Sequence, residues 1–326
     1  MNGYVVITPV RNEAARFPRT VESMLRQTVR PIRWVIVDDG STDGTEHLAE
    51  EAAARQDWIR VLHRKDRGHR LPGRGVMEAF HEGCALVSDL TWDFLVKLDG
   101  DLAFEPNYFE RCLSHFRTEP RLGIGGGVVC TRVGNRLIPE APDDPLFHVR
   151  GAVKMYRREC WEDIGGLIRL PGWDTVDELK ANMLGWHTRT FPELQVEQLK
   201  DTGSADGRWH NWVKNGLANY VACYHPLFML AKCIRRAANF PWLIGGVALG
   251  WGYLSGYWRR FPRGGDAAFI AYVRQQQWNH LCGRPSLWSY RLNTIGAEDE
   301  AGLSPDAEGA ASSPPTHSAD GPRSRA

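Results

Sequence analysis

Phe94-Leu95-Val96-Lys97-Leu98-Asp99-Gly100-Asp101 is an apolar run that stops at two carboxylates with one glycine between them. The run reads as a buried strand. Its acids then stand at the C-terminal end, where open α/β sheets hold their ligands. Two carboxylates this close can converge on one hard cation, such as Mg²⁺ or Mn²⁺, and that cation can in turn hold a diphosphate. Asp-Gly-Asp is also ordinary turn chemistry, so its meaning depends on what surrounds it.

Upstream, the same pattern occurs twice more. Tyr4-Val5-Val6-Ile7 ends in the polar loop Thr8-Pro9-Val10-Arg11-Asn12-Glu13, and Trp34-Val35-Ile36-Val37 ends in Asp38-Asp39-Gly40-Ser41-Thr42-Asp43-Gly44-Thr45. Between them, Val21, Met24, Leu25 and Thr28 follow a helical face, opened by Pro18 and closed by Pro31. Asp43 with Glu46 resembles a helix-start capping pair, and Trp58 to Leu62 forms a third strand. Strands alternating with helices at this spacing predict βαβ units. The expected fold is therefore α/β, a single Rossmann-like, mostly parallel sheet flanked by helices. No G-x-G-x-x-G follows the first strand, which argues against a dinucleotide-type phosphate loop. His63 to Gly75 is basic and glycine-containing, either a cover over phosphates or a solvated surface loop.

Downstream, Phe109, Cys112, Leu113 and Phe116 mark a helix, and Gly123 to Val129 a strand. Val133 to Phe147, with Pro139, Pro142 and Pro145, reads as a mobile loop, and Val153 to Tyr156 as a strand. A second acidic cluster follows in Gly172-Trp173-Asp174-Thr175-Val176-Asp177-Glu178-Leu179. On a helix the three acids share one face. One reading is a plain first turn with Asp174 as cap. The other is a general base whose proton affinity is raised by its neighbours. Thr188 to Val196 reads as a further strand.

Composition limits the class. The chain has 326 residues, 43% hydrophobic and 24% charged, with a formal net charge of +1. That is ordinary for a globular protein with a sizeable core. Its seven cysteines are widely spaced with no C-x-x-C pair, which fits reduced thiols in a cytoplasmic protein. The N-terminus has no signal-peptide pattern.

The four blocks Thr8 to Glu13, Val35 to Thr45, Lys97 to Asp101 and Trp173 to Glu178 together resemble the successive signatures of family-2 glycosyltransferases, in order across roughly residues 3 to 205. The resemblance implies a glycosyltransferase-A-type fold, an inverting mechanism, a nucleotide-sugar donor (UDP- or GDP-linked) and a divalent metal, Mg²⁺ or Mn²⁺. By position it implies that Pro9, Arg11, Glu13, Asp39 and Ser41 line the nucleoside pocket. Asp99 would lie against the sugar nucleotide and share the metal with Asp101. Asp177-Glu178 reverses the family's usual Glu-Asp order, so the base is sought first in Asp177, then Glu178, then Asp174. Where some members carry a metal-contacting histidine, this chain has Gln198. The competing readings are a sugar-phosphate nucleotidyltransferase, which should carry a glycine-rich loop after its first strand, and a non-catalytic nucleotide-sugar-binding subunit, which needs no base.

The C-terminal third differs. From Gly207 to Gly265 there is no Asp or Glu, and Ala237 to Trp258 carries no charge between arginine pairs at 235–236 and 259–260. Three readings of the run compete: a span with Gly246/Gly250 and Gly252/Gly256 as packing pairs, a surface or re-entrant segment, and a helix packed on the catalytic domain. The surface reading suits a lipid-linked or glycan acceptor and a peripheral position on the inner face of the cell membrane. Nucleic acid is not an expected partner. The chain thus divides into a catalytic domain (1–206), a basic, apolar helical appendage (207–292) and a disordered tail (297–326), the last too poor in apolar residues to fold.

Overall fold

A computed structural model describes residues 3–66, 74–200, 207–238 and 242–292. Strand β1 (Tyr4–Val10) sits inside the sheet because both of its faces are apolar: Tyr4 and Val6 enter one core layer, Val5 and Ile7 the other. The same alternation runs through β2 (Arg33–Asp38), with Trp34 and Ile36 opposite Val35 and Val37. Strands covered on both faces read as continuous apolar runs, as expected of a parallel sheet between helical layers. β1 pairs in parallel with β2 and with β4 (Phe94–Leu98), and β2 with β3 (Ile59–His63). Helices α1 (Phe17–Leu25), α2 (Thr45–Arg55) and α3 (Arg74–Ala85) make the crossovers. Four strands therefore deliver their C-terminal ends to one edge.

The sheet continues by a different route. β5 (Leu102–Phe104) follows the Asp-Gly-Asp turn, α4 (Tyr108–Thr118) leads into β6 (Leu122–Val133), and β8 (Val153–Arg157) runs into α5 (Arg158–Ile164). β8 is antiparallel to both β4 and β6, while β6 runs parallel to β9 (His187–Gln198), which pairs antiparallel with β5. The order is β3-β2-β1-β4-β8-β6-β9-β5. Because β8 is reversed, its N-terminal end, preceded by residues 148–152, joins the C-terminal ends of β1, β2 and β4.

Two local expectations change. The Val133 to Phe147 segment is not a plain loop: Gly134 (φ +59°) turns the chain so that β7 (Arg136–Pro139) pairs back on β6. Glycine adopts that left-handed turn without steric cost. Nor does Asp43 cap α2. Gly44 is the capping residue, and the Asp43 carboxylate accepts from Thr45 N (3.1 Å) and Ala14 N (3.0 Å), tying two loops together.

The C-terminal helices are α6 (Trp173–Met183), α7 (Gly207–Val221), α8 (Pro226–Ala237), α9 (Ile244–Trp258) and α10 (Ala267–Leu281). They build a third core in which Val176 and Leu179 of α6 meet Val221, Leu249, Tyr253 and Phe269. The glycines of α9 face inward. A β-carbon on Gly252 would collide with the Val213 carbonyl of α7, and one on Gly246 with the Cys233 carbonyl of α8. Among the described residues no helix is long and apolar enough to cross a membrane. The expected tail at 297–326 lies outside the described residues.

Candidate active site

The loops after β1 and β2 are built as one unit. Asn12 takes a positive φ (53°), reversing the chain after Arg11. Its backbone N–H donates to Ser41 Oγ (3.0 Å) and its side-chain oxygen accepts from Thr42 N (2.8 Å). Glu13 N donates to Thr45 Oγ1 at 2.9 Å. Gly40 is required where it stands, because its φ is +73° and a β-carbon there would come 2.5 Å from Asp66 Cα. Arg11 donates to the Asp39 carbonyl and to Asp66 Oδ1, the latter at 2.7 Å. The Asp39 carboxylate is buried against the guanidinium of Arg64, which also grips Glu82 at 2.9 Å. In the sequence Arg64 was only one charge in a basic loop. Most of that loop, residues 67 to 73, lies outside the described residues.

At the end of β4, Lys97 is buried and bonds both Asp99 and the Gly151 carbonyl (2.5 Å). Asp101 is only 7% exposed. Burial, followed by the charges of Asp99 and Glu13, pushes its pKa up to about 7, while Gln198 and Lys200 pull it back. Glu13 Oε1 pairs with Lys200 at 2.7 Å. Its other oxygen is buried with no hydrogen-bond partner, 3.8 Å from Arg16. The charges of Asp99 and Glu13 thus bear on Asp101, and Glu13 keeps an unsatisfied oxygen, although the three carboxylates do not bring their oxygens within 4.8 Å of one another. Oxygen donors of this kind suit a hard divalent cation. Gln198, at the position flagged by the resemblance, is bonded to Asp101.

The second acidic cluster opens α6, whose first residue follows Gly172 (φ +80°) as the capping residue, so Asp174 is not the cap. The three acids part company here. Asp177 is enclosed: both oxygens lie 3.0 Å from Lys154 Nζ, and it also accepts from Tyr156 OH (2.6 Å) and Glu178 N (2.7 Å). Glu178 is enclosed too, accepting from Val149 N (2.7 Å) and pairing with His148 Nδ1 (2.8 Å) and Lys154 (2.6 Å). Burial, the largest single effect, would lower the His148 pKa, but the charge and hydrogen bond of Glu178 together with the charges of Asp144 and Asp174 raise it to about 9. Two buried acids therefore face the buried Lys154 and the half-buried His148. Asp174 is half-buried instead, and a β-carbon on Gly151 would come 3.2 Å from its own β-carbon. Gly151 in turn receives Lys97, the partner of Asp99, so Asp174 stands across one residue from the donor-side acid.

Lys97 and Lys154 are register partners on the β4–β8 ladder, and their ammonium groups lie 5.4 and 5.6 Å from the centroid of the Trp173 ring. Together they connect the two acidic clusters. A lysine inside each apolar strand was the available signal, in Val96-Lys97-Leu98 and Val153-Lys154-Met155. Removing one member of such a buried network leaves uncompensated charge. Lys154→Met is expected to lose about 3–5 kcal/mol of stability, read as a lowered midpoint in denaturant unfolding. An unchanged midpoint would show that the network carries no such weight.

Elsewhere, Asp38, Glu46 and His63 bring one ligand atom each within 4.8 Å of one another. His63 is also bonded to Glu50 (2.5 Å), and that bond, against a smaller burial effect, raises its proton affinity. Once protonated, the ring pairs with these acids.

The sheet edge therefore carries a hydrogen-bonded polar loop unit, the buried Asp101 and the half-buried Asp174. The chain belongs to glycosyl transferase family 2, whose profile matches residues 5–168, half of its length. Membership of that family weighs against the nucleotidyltransferase reading. It is similar to a polyprenol monophosphomannose synthase from Mycolicibacterium smegmatis, at 27% identity over 49% of this chain and 63% of that one. It is also similar to the putative glycosyltransferase EpsH of Bacillus subtilis, at 28% identity over 71% and 62%. The chain spans only part of the length of its curated relatives, 15%, 32%, 44% and 63% for four of them. Among solved structures, the mannosyltransferase PcManGT from Pyrobaculum calidifontis, in complex with GDP-Man and Mn²⁺, superposes with a TM-score of 0.50 at 18% identity, covering 91% of this chain and 79% of that one. That likeness establishes the glycosyltransferase-A-type fold.

Proposed function

We propose that the protein is an inverting, metal-dependent glycosyltransferase that moves a sugar from a UDP- or GDP-sugar to a hydroxyl on a glycan or lipid-linked acceptor. The observation that carries this reading is the buried Asp101 carboxylate at the end of β4, which feels the charges of Asp99 and Glu13 and would be relieved by a bound cation. Asp101 and Asp99 would hold Mg²⁺ or Mn²⁺, and the bound ion would neutralise charge on the departing diphosphate. Pro9, Arg11, Glu13, Asp39 and Ser41 form the nucleoside side of the site, with Arg64 holding Asp39 in place. Lys97 orients Asp99 toward the donor.

The base is Asp174. Deprotonating an acceptor hydroxyl requires a carboxylate oxygen that the acceptor can reach, and Asp174 has the exposure that Asp177 and Glu178 lack. Asp177 and Glu178 act through Lys154, which also donates to the Asp174 carbonyl oxygen (2.5 Å) and steadies the first turn of α6. The relative named for polyprenol supports a lipid-linked acceptor, and with it work at the inner face of the cell membrane.

The test is a panel of nucleotide sugars scored by thermal shift and by release of the nucleoside diphosphate, with and without Mn²⁺ or Mg²⁺. One donor is expected to raise the melting temperature and to be hydrolysed slowly only with metal. No response to any donor in either metal would overturn the reading.

A further inference from the structure

The outward face of α9 is Ile244, Val247, Trp251, Leu254 and Trp258, spaced three and four apart and exposed by 53, 61, 56, 61 and 78%. α8 adds Leu227, Leu230 and Ile234 at 52, 57 and 63%. A helix face turned to water is normally polar. Eight exposed apolar side chains on two helices packed against each other mark a contact with something else. The opposite face of α9 is already used, since its glycines lie against α7 and α8.

We propose that this α8–α9 face docks the enzyme onto an anionic bilayer surface, with α9 lying in the plane of the interface. Three observations choose the bilayer over a second copy of the chain. First, α9 has no charged residue, yet Arg259 and Arg260, both exposed, follow it directly, and no acid occurs from Gly207 to Gly265. Such a surface complements anionic headgroups, whereas a second copy would bring arginine against arginine. Second, Trp242 and Trp258, the most exposed tryptophans at 64 and 78%, stand at the two ends of the helix. Tryptophan favours the headgroup level, where an apolar ring and a polar N–H are both satisfied. Third, α9 is 15 residues long, and among the described residues no helix is long and apolar enough to cross a membrane. An apolar helix that cannot span is suited to lie in the interface.

The docking face is carried close to the base. Gly172, which caps α6, abuts Ala218 of α7, and Gly264 abuts Val176 of α6. An acceptor held by its lipid in the bilayer would therefore reach the turn bearing Asp174 from the α7–α9 side. This purpose rests on the proposed lipid-linked acceptor, but docking itself does not require turnover.

The experiment is flotation of the full chain with vesicles of phosphatidylglycerol and phosphatidylcholine, and with phosphatidylcholine alone. Light scattering reports oligomeric state, and donor hydrolysis is measured on the same samples. The wild-type chain is expected to float with the anionic vesicles. The triple variant Val247→Ser, Trp251→Ser, Leu254→Ser should partition at least about tenfold less, and Arg259→Glu with Arg260→Glu should lose the preference for anionic lipid. Both variants should keep the wild-type melting temperature and donor hydrolysis, because the altered side chains face outward. Wild-type chain that stays unbound to both vesicles would overturn docking. A dimer that the triple variant dissociates, with no flotation, would assign the face to a second copy instead. Flotation without hydrolysis of any donor would leave docking standing and count against the enzymatic reading alone.

Discussion

Asp101→Asn is expected to reduce sugar transfer on the order of 10³-fold or more, because it removes the buried carboxylate proposed to hold an ion on the leaving diphosphate. The same change should stabilise the metal-free protein at alkaline pH. The folded pKa of Asp101 is about 7 against an ordinary 3.8, so the fold favours the protonated form. A carboxyl raised in this way favours folding fully below its unfolded pKa, and that contribution disappears as pH rises through 7. At pH 8 the ionised group costs the metal-free protein up to about 4 kcal/mol, at 1.36 kcal/mol per pKa unit. Asparagine carries no such charge. Thermal melts should place the variant above the wild type at pH 8, with the gap narrowing toward pH 4. Added Mn²⁺ should raise the wild type and leave the variant nearly unmoved. An equal metal-induced shift in both proteins would refute the assignment of Asp101.

Asp174→Asn is expected to lower turnover by roughly 10²–10⁴, the usual contribution of a positioned base, with donor affinity and melting temperature unchanged. The contrast with Asp177→Asn makes the test specific. Asp177 is 1% exposed in its side chain and bonded through both oxygens to Lys154, so its loss should appear first as instability. A turnover defect confined to Asp177→Asn, with Asp174→Asn at the wild-type rate, would return the base to Asp177. A pH–rate profile separates the two further, since only loss of the base removes the acidic limb.

Strand placement was legible because it is local. Tyr4 to Ile7, Trp34 to Val37 and Phe94 to Leu98 are apolar on both alternating faces, so each had to be a covered strand, and each ends in polar residues. The parallel half of the sheet and the grouping of Thr8 to Glu13, Asp38 to Thr45 and Asp99 to Asp101 on one edge follow from that alternation alone. The glycine-rich segment at 123–127 was legible as a strand in close quarters, though not its pairing with both β8 and β9.

What the sequence by itself determined, then, is the sheet edge and the kinds of residue on it. Only the tertiary structure decided which acid is which. Asp174, Asp177 and Glu178 share a helix face by spacing, and spacing treats them alike. They are told apart by Lys154, Tyr156 and His148, residues 18 to 30 positions upstream that β8 and its preceding segment bring beneath α6. The fate of α9 was decided in the same way. Its glycines could have packed against any neighbouring helix, and it is their burial on α7 and α8 that turns the tryptophans outward. Burial and charge partners are set by contacts between distant segments, and the local pattern holds no record of which segment will arrive.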